Sequence, residues 1–167
     1  MYLRFSFMVK GVCLRYGKNE SEADDFLQDA FIKIFQKLEQ YKNTGALGGW
    51  IRRIAVTTAL EHIRKQKMEL TKLTATMESV IPDDESNYLF QKMELDDLVA
   101  KIQKLPIGYR TVFNLYAIEG FSHKEISENL NISEGTSKSQ YSRARNMLKK
   151  EIELENEQAE NRMSYVK

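Results

Sequence analysis

Cysteine, proline and glycine are all scarce in this sequence, and each shortage disfavours a class of protein. Cys13 is the only cysteine in 167 residues, so an intrachain disulfide is excluded and a reducing compartment is indicated. Two prolines and eight glycines leave long Lys-, Glu- and Leu-rich segments uninterrupted. Such segments favour helices over a turn-rich β fold, so the sequence predicts an all-α protein.

Long apolar runs and an excess of charge of one sign are also missing. No signal peptide and no uncharged apolar run of membrane-spanning length occurs, which predicts a cytoplasmic protein. The formal net charge is +1, so a uniformly basic nucleic-acid coat is disfavoured. The charge is segregated along the chain, however, and local patches decide binding more than the total does.

Residue patterns typical of enzymes and metal sites are absent too. His62 and His123 are isolated from any cysteine or carboxylate at ligand or triad spacing. Cys13 lies among apolar residues and is predicted to be a small buried side chain. No phosphate-binding glycine loop occurs between a strand and a helix. We therefore predict a protein that is not an enzyme and has no cofactor, metal or small-molecule substrate.

Residues 122–150 have the pattern of two helices joined by a tight turn. Ser122 and Glu125 have capping-box spacing, Asn131 suits a left-handed turn, and Ser133 can cap a second helix that begins near Glu134. Tyr141, Ala144 and Leu148 share one face of that helix, and five basic residues oppose one Glu between 133 and 150. Polar side chains off the apolar stripe are predicted to face outward: Thr136, Lys138, Ser139, Gln140, Ser142 and Arg143. This pattern suits the DNA major groove, although a helical hairpin with a solvated basic face has the same pattern.

A clear amphipathic helix follows Ser21, which is predicted to cap it with Asp24. Its apolar stripe is predicted to run to Phe35 and Leu38. The opposite face carries Asp25, Gln28, Asp29 and Ile32. First-turn acids also suit the helix dipole, but a mixed acidic and apolar surface can bind a basic partner.

A loop at 41–49 precedes a predicted helix at 50–67, in which five basic residues oppose one Glu. Basic groups beside aromatic and hydroxyl groups suit single-stranded nucleic acid, because bases stack and phosphates pair. Trp50 can equally be a core anchor. The candidate nucleic-acid residues are Trp50, Arg52, Arg53, Thr57, Arg64 and Lys65.

The middle of the chain, 68–87, loses helical periodicity and is predicted to be a flexible linker between two small helical domains, 1–67 and 88–150. A helix is predicted from about 88 to 104, followed by another that starts near Pro106 and ends at Gly120. Val112, Phe113, Tyr116 and Ala117 are its predicted buried stripe. The acidic segment 151–167 is predicted to be a fraying helix end or a disordered tail.

In order and spacing, these segments resemble the bacterial RNA polymerase sigma factors of the extracytoplasmic-function (ECF) type. One match joins EADDFLQDAFIK at 22–33 to WIRRIAVTTALEHIR at 50–64. The other spans 105–148 and includes EGFS at 119–122, EGTSKS at 134–139 and SRAR at 142–145. The resemblance covers most of residues 1–150, and the joint occurrence is far more specific than either half.

The resemblance implies a factor that binds core RNA polymerase and promoter DNA and helps to open the DNA. Asp25, Gln28, Asp29 and Ile32 would bind the polymerase clamp helices. The loop and the Trp50 helix would hold the melted −10 element. The −35 element would meet Lys138, Ser139, Gln140 and Arg143, with Thr136 and Arg145 at phosphates. An anti-sigma factor, often membrane-anchored in this family, is an implied partner. The resemblance also implies that this sequence starts inside the first helix of the polymerase-binding domain, so that part of that helix is missing.

This sequence departs from the usual family pattern at several positions, which leaves the promoter sequence open. The family usually has Asn in place of Thr57 and often Asp in place of Glu61. It usually has Val, Arg and Leu in place of Ser137, Gln140 and Tyr141, respectively. The residue patterns also allow two other functions. One is a stand-alone helix–turn–helix regulator that binds duplex DNA, and the other is an interaction protein that sequesters polymerase or an inhibitory partner.

Overall fold

The fold is all-helical, as predicted, throughout the part of the chain that the computed structural model describes, which is residues 1–42, 45–71 and 95–164. The chain divides into two compact units, Met1–Glu78 and Ser79–Lys167. The helices in chain order are α1 (Tyr2–Tyr16), α2 (Glu20–Lys37), α3 (Leu47–Thr71), α4 (Leu95–Lys104), α5 (Ile107–Phe113), α6 (His123–Leu130) and α7 (Glu134–Ser164). A single 3₁₀ turn, Leu38–Gln40, follows α2.

In the first unit, α1, α2 and α3 pack against one another around one apolar core. The side chains that fill it come from all three helices, including Val12, Tyr16, Phe26, Ile34, Ile51 and Ala55. Cys13 is fully buried among them, as predicted. Along α2, Ile34 is the last residue of the core, because Phe35 and Leu38 remain 51% and 37% exposed. The prediction that the apolar stripe runs to Leu38 is therefore wrong.

Two helix starts in this unit also differ from the prediction. The side chain of Asn19, rather than that of Ser21, caps α2 and accepts a hydrogen bond from the Glu22 N–H at 2.9 Å. Both residues precede an acid by three positions, so the sequence offers two overlapping caps. Helix α3 begins at Leu47, inside the predicted loop, and ends at Thr71, inside the predicted linker. Residues 72–87 of that linker and 88–94 of the predicted next helix lie outside the described residues.

In the second unit, α4, α5 and α6 all pack against α7. Pro106 precedes α5, as predicted, and Gly120 ends the segment with a φ of 76°. A π-helical turn, Asn114–Ile118, follows α5. Asn114 and Leu115, at the start of this turn, are buried. The prediction that Tyr116 and Ala117 are buried is wrong, because both are exposed.

Helix α7 does not end at Lys150 but continues to Ser164, so residues 151–164 are helical and the alternative of a disordered tail is wrong for them. Ile152 is 5% exposed and extends the apolar stripe of Tyr141, Ala144 and Leu148 by one turn. On either side of Ile152, Glu151 pairs with Lys104 of α4 and Glu155 pairs with the buried Lys101 of α4. These contacts fix the first two turns of the predicted tail against α4.

Candidate functional site

Three of the four predicted partner-binding side chains on α2 are exposed on one face. Asp25 and Gln28 lie in the open, Ile32 is 53% exposed, and Asp29 is half-buried. Asp25, Gln28 and Asp29 line a surface groove between α2 and α3, with Phe26 at its side. Acidic groups next to an apolar surface can bind a partner that carries basic and apolar groups.

Helix α3 contributes two residues to the same groove that the sequence did not single out as functional. His62 Nε2 lies 2.7 Å from Asp29 Oδ2, and its ring is 4.7 Å from the Phe26 ring. One turn later, Gln66 Nε2 donates to Glu22 Oε1 at 2.5 Å. The i, i+4 spacing of His62 and Gln66 is the only sequence signal that could have indicated them.

The acids on the other side of α2 are paired with a lysine of α1. Lys10 Nζ lies 2.5 Å from Asp24 Oδ1 and 3.6 Å from Glu20 Oε1. The hydrogen bond to Asp24 is the main cause of a raised Lys10 pKa. The helix thus has one acidic side that is tied into the first unit and another that lines the groove.

A basic stripe follows the exposed face of α3. Arg53, Thr57, Arg64 and Lys65 are all exposed. At 100° per residue, these four and Trp50 lie within about a third of the helix circumference. Arg52 lies on a different side of the helix, so it does not share the stripe.

Trp50, at the start of this stripe, is neither fully buried nor fully exposed. Its ring packs against Tyr41, with the ring centroids 5.3 Å apart. The Tyr41 hydroxyl donates a hydrogen bond to the Gly45 carbonyl, and this bond links two residues of the segment before α3. The aromatic pair therefore stands at the end of the basic stripe, with part of its surface in solvent.

The second unit contains the predicted helix–turn–helix with its predicted caps. Glu125 N–H donates to Ser122 Oγ at 3.2 Å, and Ser122 N–H donates to Glu125 Oε2 at 2.8 Å, which completes a capping box. The Glu125 carboxylate accepts hydrogen bonds from the Ser122 N–H and from the Ser122 hydroxyl, and these two bonds, the backbone one first, lower its pKa. Asn131 adopts the left-handed conformation with a φ of 53°. Ser133 Oγ then accepts from the Thr136 N–H at 2.9 Å and caps α7.

Four of the predicted DNA-contacting side chains on α7 are partly or fully accessible. Lys138 is exposed, and Thr136 is in contact with the Ser133 cap through its hydroxyl at 2.9 Å. The Arg145 guanidinium lies over the Tyr141 ring, 5.8 Å from its centroid. Arg143 Nη1 donates to the Tyr109 hydroxyl of α5 at 3.0 Å. No pattern in the sequence indicated a role for Tyr109.

The prediction that Ser139, Gln140 and Ser142 face outward is wrong. Ser139 is 6%, Gln140 9% and Ser142 4% exposed, because α5 and α6 pack along this side of α7. Gln140 sits against Gly108, where an added Cβ would meet Gln140 Oε1 at 3.3 Å. One turn earlier, the buried Ser137 hydroxyl lies 2.9 Å from His123 Nδ1. The accessible part of the helix is therefore narrower than the sequence pattern suggested.

The described residues contain neither a candidate membrane span nor a metal-binding cluster. Across 1–42, 45–71 and 95–164, no helix is both long and apolar enough to cross a membrane. No group of three or more His, Cys, Asp or Glu side chains in these ranges is placed to hold a metal ion.

Comparison with known proteins matches both units. The sigma-70 region 2 family matches residues 1–69, and the sigma-70 region 4 family matches residues 95–148. The ECF RNA polymerase sigma factor SigW of Bacillus subtilis is 32% identical over 155 residues, which are 84% of this chain and 81% of SigW. SigM of the same organism, also an ECF sigma factor, is 30% identical over 141 residues, 79% of this chain and 80% of SigM.

A solved structure has the same fold. It is the sigma factor RpoE in complex with the anti-sigma factor NepR from Bartonella quintana, with a TM-score of 0.52 and 23% identity. The similarity covers 89% of this chain and 92% of RpoE. The region 2 match to the first unit separates this chain from a stand-alone helix–turn–helix regulator. The chain thus belongs to the ECF sigma factors of the sigma-70 family, which are not enzymes and which direct RNA polymerase to promoters.

Proposed function

We propose that the acidic and apolar face of α2 is where this sigma factor binds the clamp helices of core RNA polymerase. The proposed contacts are Asp25, Gln28, Asp29 and Ile32. Their support is the groove beside α3, which Asp25, Gln28 and Asp29 line, and the exposed Ile32 about one turn further along α2. Exposed carboxylates attract a basic partner surface, and an exposed apolar side chain adds area that becomes buried on binding.

The basic stripe of α3 holds the non-template strand of the melted −10 element in this proposal. Arg53, Arg64 and Lys65 pair with phosphates, while Thr57 and the Trp50 ring face the bases. Arg52 is not included, because it does not share the stripe. The Tyr41–Trp50 pair offers an aromatic surface on which an unstacked base can lie.

The −35 element is read in the major groove by the N-terminal half of α7. Lys138 and Arg143 are the proposed base contacts, since a cation on an exposed helix face can bind guanine O6 and N7. Thr136 and Arg145 are the proposed phosphate contacts, and the capped start of α7 also favours a phosphate. Ser139 and Gln140 support the helix from its packed side instead of reading bases.

Regulation by an anti-sigma factor is also part of the proposal. Its support is the similarity in fold to RpoE of Bartonella quintana, which was solved with the anti-sigma factor NepR. A factor that works with RNA polymerase acts in the cytoplasm, which is the location we propose.

The observation that carries this assignment is the separation of charge within the first unit. The groove beside α2 is acidic, whereas the exposed stripe of α3 carries Arg53, Arg64 and Lys65 against one acid, Glu61, which pairs with Lys33 of α2. An acidic surface repels DNA and a basic one attracts it, so the two faces suit two different partners. One small helical unit can in this way hold polymerase on one side and DNA on another.

The test of the −10 assignment is a charge reversal on the stripe. Arg53→Glu should lower open-complex formation by the holoenzyme by about tenfold, because a repulsive charge replaces a phosphate contact. Lys37→Glu is the matched control, since Lys37 is an exposed lysine at the end of α2 and is not a member of the stripe. Open complexes are measured by permanganate reactivity of the −10 thymines, and core-polymerase affinity by titration of labelled protein. Unchanged opening with Arg53→Glu, or an equal loss of polymerase affinity, would contradict the assignment.

A further inference from the structure

Tyr109 lies on α5, and its hydroxyl contacts the proposed base-reading side chain of Arg143 on α7. Its hydroxyl accepts the bond from Arg143 Nη1 at 3.0 Å, across the contact between α5 and α7. Both side chains are partly buried. The two residues are far apart in the sequence, so their contact depends on the packing of the unit and not on a local turn.

The neighbouring residue fixes the same two helices at close range. Gly108 leaves room for the Gln140 carboxamide, which an added Cβ would meet at 3.3 to 3.5 Å. Gln140 and Arg143 lie one turn apart on α7, and Gly108 and Tyr109 are consecutive on α5. The first turn of α5 therefore contacts two successive turns of α7, which limits how far the Tyr109 ring can move relative to Arg143.

A hydrogen bond at this point changes what an arginine can do. The guanidinium has five N–H donors in a planar fork, and the bond to Tyr109 fixes the direction of one of them. A long side chain loses rotamer freedom when it binds, and a side chain that is already held loses less. Holding the plane of the fork also favours the bidentate geometry that matches guanine O6 and N7.

We propose that Tyr109 is a positioning residue for promoter recognition, whose hydroxyl aims the Arg143 guanidinium at one base pair of the −35 element. This inference rests on the proposed role of Arg143 in reading that element. Tyr109 itself acts through Arg143 and contacts no base. Its effect is therefore confined to the base pair that Arg143 reads.

The experiment uses the full chain with core polymerase and a promoter found by mapping RNA 5′ ends after overexpression. Each base pair of its −35 element is replaced in turn, and run-off transcription is measured for every template. Arg143→Ala first identifies the position where discrimination is lost. Tyr109→Phe removes only the hydroxyl and should weaken discrimination at that same position by about three- to tenfold.

Tyr116→Phe is the matched control. It makes the same change in the same unit, on a half-exposed ring that stacks on His123 at 4.2 Å. It should leave the discrimination profile unchanged. The double variant Tyr109→Phe with Arg143→Ala should discriminate no worse than Arg143→Ala alone, because the hydroxyl acts only through the arginine.

Three results would overturn the inference, and each has a different meaning. If Tyr109→Phe lowers transcription equally on every template, its role is structural. If it changes nothing while Arg143→Ala loses discrimination, the arginine reads DNA without help from Tyr109. If Arg143→Ala itself keeps full discrimination at every position, the proposed role of Arg143 fails and the role of Tyr109 fails with it. Unfolding curves for each variant separate a loss of fold from all three.

Discussion

At the residue scale, Cys13 shows how burial decides chemistry. The thiol is fully buried in the first unit, and desolvation raises its pKa to about 12. The reactive form of a cysteine is the thiolate, which this environment suppresses. The folded state also keeps a proton that the unfolded state loses above the ordinary value of 9.0. The free energy of unfolding should therefore fall as the pH rises from about 9 towards 12.

We predict that Cys13 resists Ellman's reagent at pH 8 in the folded protein and reacts fully in denaturant. The reason is that both exposure and thiolate are lacking. Lys18→Cys supplies an exposed thiol in the turn after α1 as the control, so that variant should show one fast and one protected thiol. Fast labelling of native wild-type protein would disprove the burial of this side chain.

For individual residues of α7, the sequence pattern predicted burial correctly only for the apolar side chains. Tyr141, Ala144 and Leu148 were predicted to be buried, and they are. Ser137, Ser139, Gln140 and Ser142 are buried as well, although they are polar. Periodicity assigns polar residues to solvent, whereas a helix packed on two sides, here by α5 and α6, also encloses small hydroxyls and an amide. The Tyr109–Arg143 contact could not be predicted either, because its partners are 34 positions apart.

At the scale of single elements, local signals predicted the helix–turn–helix well. The capping box, the left-handed Asn131 and the Ser133 cap all depend on residues within four positions of each other. Such contacts form whatever the rest of the chain does. The end of α7 was missed because Ile152 and two ion pairs to α4 stabilise it, and tertiary contacts of this kind have no local pattern.

The capping box of α6 gives a prediction at this scale. Ser122→Ala should lower the stability of α6 by about 1 kcal/mol, because the N-terminal N–H groups lose their acceptor. Faster amide exchange in α6, followed by mass spectrometry, would show it. Unaltered exchange would mean that the cap contributes nothing.

The pH dependence of the same box follows from Glu125, whose folded pKa is lowered by its bonds from Ser122. Its contribution is present above the ordinary value of 4.5 and is lost as the pH falls through the lower folded value. Glu125→Gln keeps an acceptor oxygen, so α6 protection should then vary less with pH. The same acid sensitivity in Glu125→Gln would assign the effect to another carboxylate.

At the scale of the whole molecule, the chain joins a unit with an acidic face and a basic stripe to a unit with a recognition helix. The sequence predicted the all-helical class, the two matched segments and the family. It did not predict that His62 and Gln66 line the groove beside α2, since this needs the packing of α2 on α3. We propose that polymerase binding and −35 recognition belong to different units: α2 of the first unit binds polymerase, and α7 of the second unit recognises the −35 element.

The most direct measurement of that claim compares Asp29→Lys with Arg143→Glu in the full chain. Core-polymerase affinity and −35 discrimination at saturating polymerase are determined for both variants on one promoter. Asp29→Lys should weaken polymerase affinity by at least about tenfold and leave discrimination intact, because it reverses charge only in the groove. Arg143→Glu should abolish discrimination and leave polymerase affinity unchanged. An equal loss of polymerase affinity in both variants would contradict the division of labour between the two units.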